Sequence, residues 1–308
     1  MSSPQAPPAR GNLPASILAR LLTLARQRGE DYNLLLGRFG LERLLARISA
    51  SAHADRFLLK GALLFALWYD APHRPTRDAD LLGLGPDDEA GLIALFREVA
   101  AIDLGDGIRF DLDSVRARAI REDNGYGGTR ISLIGRVASA RCALQIDIAF
   151  GDAVTPAPQR LSYPSLLAEF ASPVLRVYPI YSVVAEKYQA MVMLGLANSR
   201  LKDFFDLTVI ARRTVLEGAT LASAIAATFA RRQTPLPVER PVALTRVFSE
   251  DVGKMRQWQA FLNKNRVEGA ELGDTVSLLN DLLWPPTQVA LERSAATATW
   301  RPDLLKWV

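Results

Sequence analysis

The chain has 308 residues, is 49% hydrophobic and 23% charged, and carries a formal net charge of +4. That composition supports one large domain or two of ordinary size and excludes wholesale disorder. A single cysteine, Cys142, excludes an internal disulfide and a cysteine-rich zinc site, and only two histidines, His53 and His73, argue against histidine-based zinc chemistry and against a Ser-His-Asp triad.

Residues 1–11, rich in Pro, Ala and Ser, read as a flexible tail without the apolar stretch of a signal peptide. No apolar run is long enough to span a membrane, so a cytosolic (cytoplasmic) protein is expected. Asn12, Pro14 and Ser16 offer helix-start chemistry, and Ile17, Leu18, Leu21, Leu22 and Leu24 carry an apolar stripe to about Gln27. One or two further helices fill Asp31–Ser49, punctuated by Gly37 and Gly40. Residues 56–60 form a short extended segment, and Gly61 turns the chain into an apolar helix ending at Tyr69. A loop with Pro72 and Pro75 leads to a strand over Asp78–Leu82, and Pro86-Asp-Asp-Glu opens a helix with an acidic first turn.

From Ile108 to Phe150 the pattern becomes β. Gly125-Tyr-Gly-Gly signals a turn, and Thr129–Val137 with Arg141–Phe150 read as a hairpin or meander. In the second of these, Gln145, Asp147 and Ala149 share one face. A short strand runs from Pro173 through Val177. Helices follow at 181–194, 200–213, 220–231, 241–249, 252–264 and 274–284, and the stretch after Pro285-Pro286 has no clear pattern. The fold class is α+β: a mixed-sheet domain over 12–175, then a helical domain over 176–308.

Asp78 and Asp80 carry the chemistry most directly. Residues i and i+2 of a strand share a face, so both carboxylates point into one space. Two like charges held that close repel, and a divalent cation such as Mg²⁺ compensates them through hard oxygen ligands. A lone Asp-x-Asp is also what a solvated acidic strand end looks like. Lys60 and Gly61, just before a helix, supply a lysine and free backbone N–H groups for phosphate oxygens. Asp147, flanked by Ile146 and Ile148, costs free energy in an apolar strand unless it is paired or metal-bound, and it would complete a two-metal clamp. Asp152, just beyond Gly151, reads as a turn residue. Lys187 lies beside the apolar face of its helix, where most lysines would reach solvent. Lys202 and Asp206, four apart, could equally be a surface ion pair.

The order of these segments resembles the AbiEii/AbiGii family: Lys60-Gly61, Arg74-Pro-Thr-Arg-Asp-Ala-Asp, Asp147 on a strand, Ala185-Glu-Lys187, and Arg200-x-Lys-Asp203-Phe-Phe-Asp206-Leu. The resemblance reaches back to Ser16-Ile-Leu-Ala-Arg-Leu-Leu and Leu41-Glu-Arg-Leu-Leu-Ala-Arg-Ile-Ser49 and covers roughly residues 12–212. Where the family often has Gly-Ser or Gly-Gly, this chain has Gly61-Ala62, so a serine hydroxyl contact to phosphate is missing.

The resemblance implies a bilobed nucleotidyltransferase toxin of toxin–antitoxin and phage-defence (abortive infection) systems, using a nucleoside triphosphate and Mg²⁺. Asp78, Asp80 and Asp147 would be catalytic metal ligands, with Lys187 and Asp206 contributed to the same cleft by the helical lobe. Lys60, Gly61, Ala62, Thr76, Arg77 and Lys202 would contact the nucleotide. Lys187 would point at the triphosphate, and Lys187→Ala would leave thermal stability nearly unchanged. Some family members extend the 3′ end of tRNA, and the antitoxin is a separate protein that often need not bind the toxin. Competing readings are transfer to a small molecule or a protein hydroxyl, and a non-catalytic nucleotide- or RNA-binding module. The arginines between Arg116 and Arg141, with Arg200, Arg212 and Arg213, favour an RNA acceptor.

Overall fold

The computed structural model describes residues 12–69, 74–121, 127–292 and 298–308. The N-terminal tail, Pro72 of the loop and Gly125-Tyr126 of the expected turn lie outside them. In chain order the elements are α1 (Leu13–Arg28), α2 (Tyr32–Ala50), β1 (Phe57–Lys60), α3 (Leu63–Tyr69), β2 (Ala79–Gly83), α4 (Glu89–Ala101), β3 (Ile108–Arg121), β4 (Gly127–Val137), β5 (Ala140–Phe150), β6 (Gln159–Ser162) and β7 (Val174–Val177). Then follow α5 (Ile180–Leu194), α6 (Leu201–Arg213), β8 (Leu216–Glu217), α7 (Gly218–Arg231), α8 (Arg246–Ser249), α9 (Val252–Asn265), α10 (Leu272–Glu292), β9 (Thr299–Arg301) and β10 (Lys306–Trp307). This is a mixed α+β architecture, as the sequence implied.

Local chemistry sets several helix starts. Asn12, Asp31 and Asp88 accept backbone N–H groups from Ala15, Leu34 and Gly91 at the N-termini of α1, α2 and α4. Gly29 closes α1 with φ +64°. Of the one or two helices expected in this segment the structure has one, α2, running through both Gly37 and Gly40. Gly40 is there for close approach: a Cβ would lie 2.9 Å from Leu144 and 3.0 Å from Cys142. The glycine lets α2 press onto the inward face of β5, where Cys142, Leu144, Ile146 and Ile148 are buried.

Among the described residues, seven strands form one mixed sheet in the order β3-β4-β5-β2-β1-β7-β6. β2 runs parallel to β5, and β1 parallel to β7; the other neighbours are antiparallel. β1 is buried along its whole length, as a central strand should be. The edge strand β6 was not anticipated; its short run, Gln159–Ser162, holds only one apolar residue, Leu161.

The helices after β7 pack on the same apolar cluster, which runs without a break from Ile17 to Trp300. The expected helix over 241–249 is only the single turn of α8, preceded by a 3₁₀ turn at Val242–Leu244. α10 continues past the expected stop at Pro285-Pro286. Prolines at those positions leave the carbonyls of Asp281 and Leu282 without their helical donors. The indole N–H of Trp307 reaches both, at 3.0 and 3.3 Å. The C-terminal strand thus supplies what the prolines remove, and β10, β9 and β8 form a second, three-stranded sheet.

Candidate active site

The centre of the large sheet carries a row of charges across four strands. Lys60 on β1 is the register partner of Asp80 on β2, Asp80 of Asp147 on β5, and Asp147 of Arg130 on β4. All four line one cleft of about 760 Å³, with Asp78 just ahead of β2. The row reads cation, acid, acid, cation, but the charges do not pair evenly. Arg130 grips Asp147 at two points, 2.8 and 2.7 Å. Lys60 turns away to Asp152 at 2.6 Å and Glu186 at 3.1 Å, over the ring of Tyr178. Among the described residues, Asp78 and Asp80 form no ion pair; Asp78 accepts a hydrogen bond from Thr76 at 2.8 Å.

Asp80 registers the imbalance. Burial and then the neighbouring Asp78 and Asp147 push its pKa up to about 6, against partial relief from Lys202 and Lys60. Gly61 permits this packing. Its φ is +69°, and a Cβ there would lie 1.8 Å from an Asp80 carboxylate oxygen. Only glycine fits, on both backbone and steric grounds.

The helical wall is tied by a second set of charges. Lys187 on α5 donates to Asp203 at 2.6 Å and Asp206 at 2.8 Å, and both aspartates on α6 are fully buried. Arg74 clamps Asp206 with two bonds of 2.8 and 3.0 Å, and Arg200 reaches Asp203 at 2.9 Å. Burial alone would lower the pKa of Lys187; Asp203 and Asp206 outweigh it and hold the ammonium charged. Burial would likewise raise Asp203, but Lys187 and Arg200 keep it below the ordinary carboxylate range.

Several sequence expectations change here. Lys60 lines the cleft already paired: Asp152 and the half-buried Glu186 hold it charged against the cost of burial. Among the described residues Asp206 is fully buried and held by Arg74 and Lys187, outside the cleft lining, and pairs with neither Lys202 nor any exposed cation. Asp152 is no mere turn residue: its side chain is 5% exposed and pairs with Lys60 and Arg232. Lys187 lines the cleft but is spanned by two aspartates. Gly61, Ala62, Thr76 and Lys202 also line the cleft, whereas exposed Arg77 does not. Sequence reasoning missed Glu186, Asp203 and Arg232 on the wall, although Glu186 and Asp203 stood beside the lysines it singled out.

Among the described residues, no three His, Cys, Asp or Glu side chains are grouped to hold one metal ion. The protein therefore offers the Asp78–Asp80 pair, and Asp147, the expected third ligand, is engaged by Arg130. Two carboxylates suit Mg²⁺, which keeps several waters and completes its shell with substrate phosphates. The donor chemistry fits that ion.

Comparison with known proteins defines the chain as a nucleotidyl transferase, the matching family pattern spanning residues 43–289. That family is AbiEii, the nucleotidyl transferase toxins of type IV toxin–antitoxin systems, and the chain belongs to it. The match extends well past residue 212, where the motif resemblance ended, and takes in α7 to α9 and most of α10. Two solved structures are similar overall, both from Helicobacter pylori. JHP933 is 15% identical with a TM-score of 0.47, covering 82% of this chain and 92% of its own. A proposed nucleotidyltransferase is 14% identical with a TM-score of 0.46, covering 83% and 96%. No curated protein matches the chain in sequence. Among the described residues, no helix is long and apolar enough to cross a membrane.

Proposed function

We propose that the protein is a Mg²⁺-dependent nucleotidyltransferase that moves a nucleoside monophosphate from a triphosphate to the 3′-hydroxyl of an RNA, with tRNA as the acceptor, and acts in the cytoplasm as the toxin of a toxin–antitoxin pair. The observation that carries the reading is the Asp78–Asp80 pair. Both carboxylates line the cleft and neither forms an ion pair among the described residues, and the Gly61 turn makes room for the Asp80 carboxylate. In this reading the sheet up to Val177 and the helices after it are two lobes, 12–175 and 176–308, with the cleft between them.

Bound Mg²⁺ would be held by Asp78 and Asp80 and would neutralise charge on the phosphates as the bond between the α-phosphorus and the pyrophosphate breaks. The chain's own residues orient and neutralise. Lys202, exposed and without an ion pair among the described residues, faces the triphosphate with Arg118 from the opposite wall. Lys187 presents a fixed positive charge, because Asp203 and Asp206 immobilise its ammonium. Asp147 accepts the proton of the attacking hydroxyl on an oxygen that Arg130 otherwise holds. Pyrophosphate leaves, and the 3′ oxygen joins the α-phosphorus.

The cleft wall favours a nucleic acid over a small cationic acceptor. Among the described residues it carries eight Lys and Arg side chains against five Asp and Glu, the balance a phosphate backbone requires. Transfer to a cationic small molecule would need an acidic pocket. A non-catalytic binding module would have no use for an Asp80 whose ionisation is costly to the folded chain. The family's toxin–antitoxin membership supports a cognate antitoxin, a separate protein encoded nearby. Expression in bacteria tests the reading: wild type arrests growth, and a folded Asp80→Ala protein does not. Equal arrest by both removes catalysis from the account.

A further inference from the structure

A second cavity, of about 230 Å³, opens beside the cleft. Its wall includes Leu34 of α2, Ala62, Leu63, Ala66, Tyr163 and Val267. Ala62, Arg74 and Thr76 line both spaces, so the cavity begins one residue from the glycine that touches Asp80. It is too small for a whole nucleotide, for which sites of about 300 Å³ or more are usual; the cleft has that room. It is also nearly neutral. Of its four charged groups, Glu30 and Arg38 pair with each other at 2.9 Å and Arg74 is clamped by Asp206, leaving Arg266. Tyr163 is 6% exposed, and its hydroxyl makes no hydrogen bond among the described residues. That hydroxyl is left able to donate to an acceptor atom of a ligand.

A neutral planar ring with acceptor atoms on its edge meets all of these conditions. The apolar wall takes its faces, the Tyr163 hydroxyl its edge, and the Arg266 guanidinium can stack on it. We propose that this cavity seats a nucleobase, that of the nucleotide whose triphosphate lies in the adjoining cleft. The inference rests on the nucleotidyltransferase reading. The terminal base of an RNA acceptor has the same chemistry, and the test separates the two sources.

The experiment measures equilibrium binding of ATP, GTP, CTP, UTP and inorganic tripolyphosphate, with MgCl₂, to the full-length protein and to Leu34→Trp and Tyr163→Phe, with melting temperatures alongside. Leu34 is half-buried at the cavity wall, so tryptophan fills the space without opening the core. Leu34→Trp should weaken triphosphate binding at least tenfold and leave tripolyphosphate unchanged. Tyr163→Phe should alter the ranking of the four bases. A tRNA 3′-end oligonucleotide that loses affinity instead, and only when its last base is present, assigns the seat to the acceptor. Unchanged binding of every nucleotide and RNA by both folded variants overturns the proposal. A wild-type protein that binds neither triphosphate nor tripolyphosphate overturns the nucleotidyltransferase reading itself.

Discussion

Asp80 and Asp147 are register partners on adjacent parallel strands, yet only Asp147 has a counter-ion, the two-point grip of Arg130. Among the described residues one acid of the pair is ion-paired, whereas Asp80 and Asp78 form no ion pair: Asp78 accepts from the Thr76 hydroxyl, and Lys202 and Lys60 relieve Asp80 in part. That asymmetry separates an acid pair fit for a metal from a structural ion-pair network, and several measurable consequences follow from it.

The first is a pH dependence. The folded pKa of Asp80 is raised to about 6 from 3.8 by burial and then by Asp78. Between those values the folded chain binds a proton that the unfolded chain does not, so stability falls as pH rises through the window. The full difference is about 3 kcal/mol, lost by pH 7. Metal-free protein should melt higher at pH 5 than at pH 7, and Asp80→Asn should flatten that slope. A slope unchanged in Asp80→Asn would place its origin elsewhere.

Gly61→Ala should fail on two counts. The φ of +69° costs an L-residue about 1–2 kcal/mol, and the new methyl would displace the Asp80 carboxylate. Loss of both activity and stability is expected, measured as turnover and thermal midpoint. An active, fully stable variant would mean that the turn is not built around Asp80.

The lysines of the cleft should behave differently from one another. Lys202 is exposed and unpaired among the described residues, so Lys202→Ala should leave the melting temperature unchanged and raise the KM for triphosphate. Loss of one charge-assisted hydrogen bond, about 1.5–3 kcal/mol, corresponds to roughly 10- to 150-fold. Lys187→Ala removes one of the cations that hold each of two fully buried aspartates, leaving Arg200 on Asp203 and Arg74 on Asp206. It should cost about 1.5–3 kcal/mol of stability for a lost charge-assisted hydrogen bond, contrary to the stability-neutral outcome expected from sequence. Lys60→Ala should resemble Lys187→Ala, because Asp152 and Glu186 each lose one cation and keep Arg232. Calorimetry of the three variants beside their kinetics separates the two classes.

The parts of the site legible in the sequence were those fixed by short-range geometry. The i, i+2 rule brought Asp78 and Asp80 together, and strand alternation put Gln145 and Asp147 on the face opposite Ile146 and Ile148. What escaped was the partner of each charge. Lys60 meets Asp152 92 residues away, and Arg74 meets Asp206 132 residues away. No local pattern encodes such a pairing, so lysines that looked free are bound and a presumed turn aspartate is buried. The same limit applied to the fold. Gly40 looked like a break because its neighbour on β5 was unknown, and Pro285-Pro286 looked like a stop because Trp307 was.

The central claim is that Asp80 belongs to a transfer centre acting on RNA. The direct measurement incubates purified protein with Mg²⁺, each α-³²P-labelled ribonucleoside triphosphate and total tRNA, then follows label in the RNA. Asp80→Ala removes a ligand whose metal stabilises several kcal/mol of transition-state charge, and each ~1.36 kcal/mol is tenfold in rate. Wild type should label tRNA at its 3′ end, and a folded Asp80→Ala protein should be slower by orders of magnitude. Label incorporated equally by the two proteins would contradict the account.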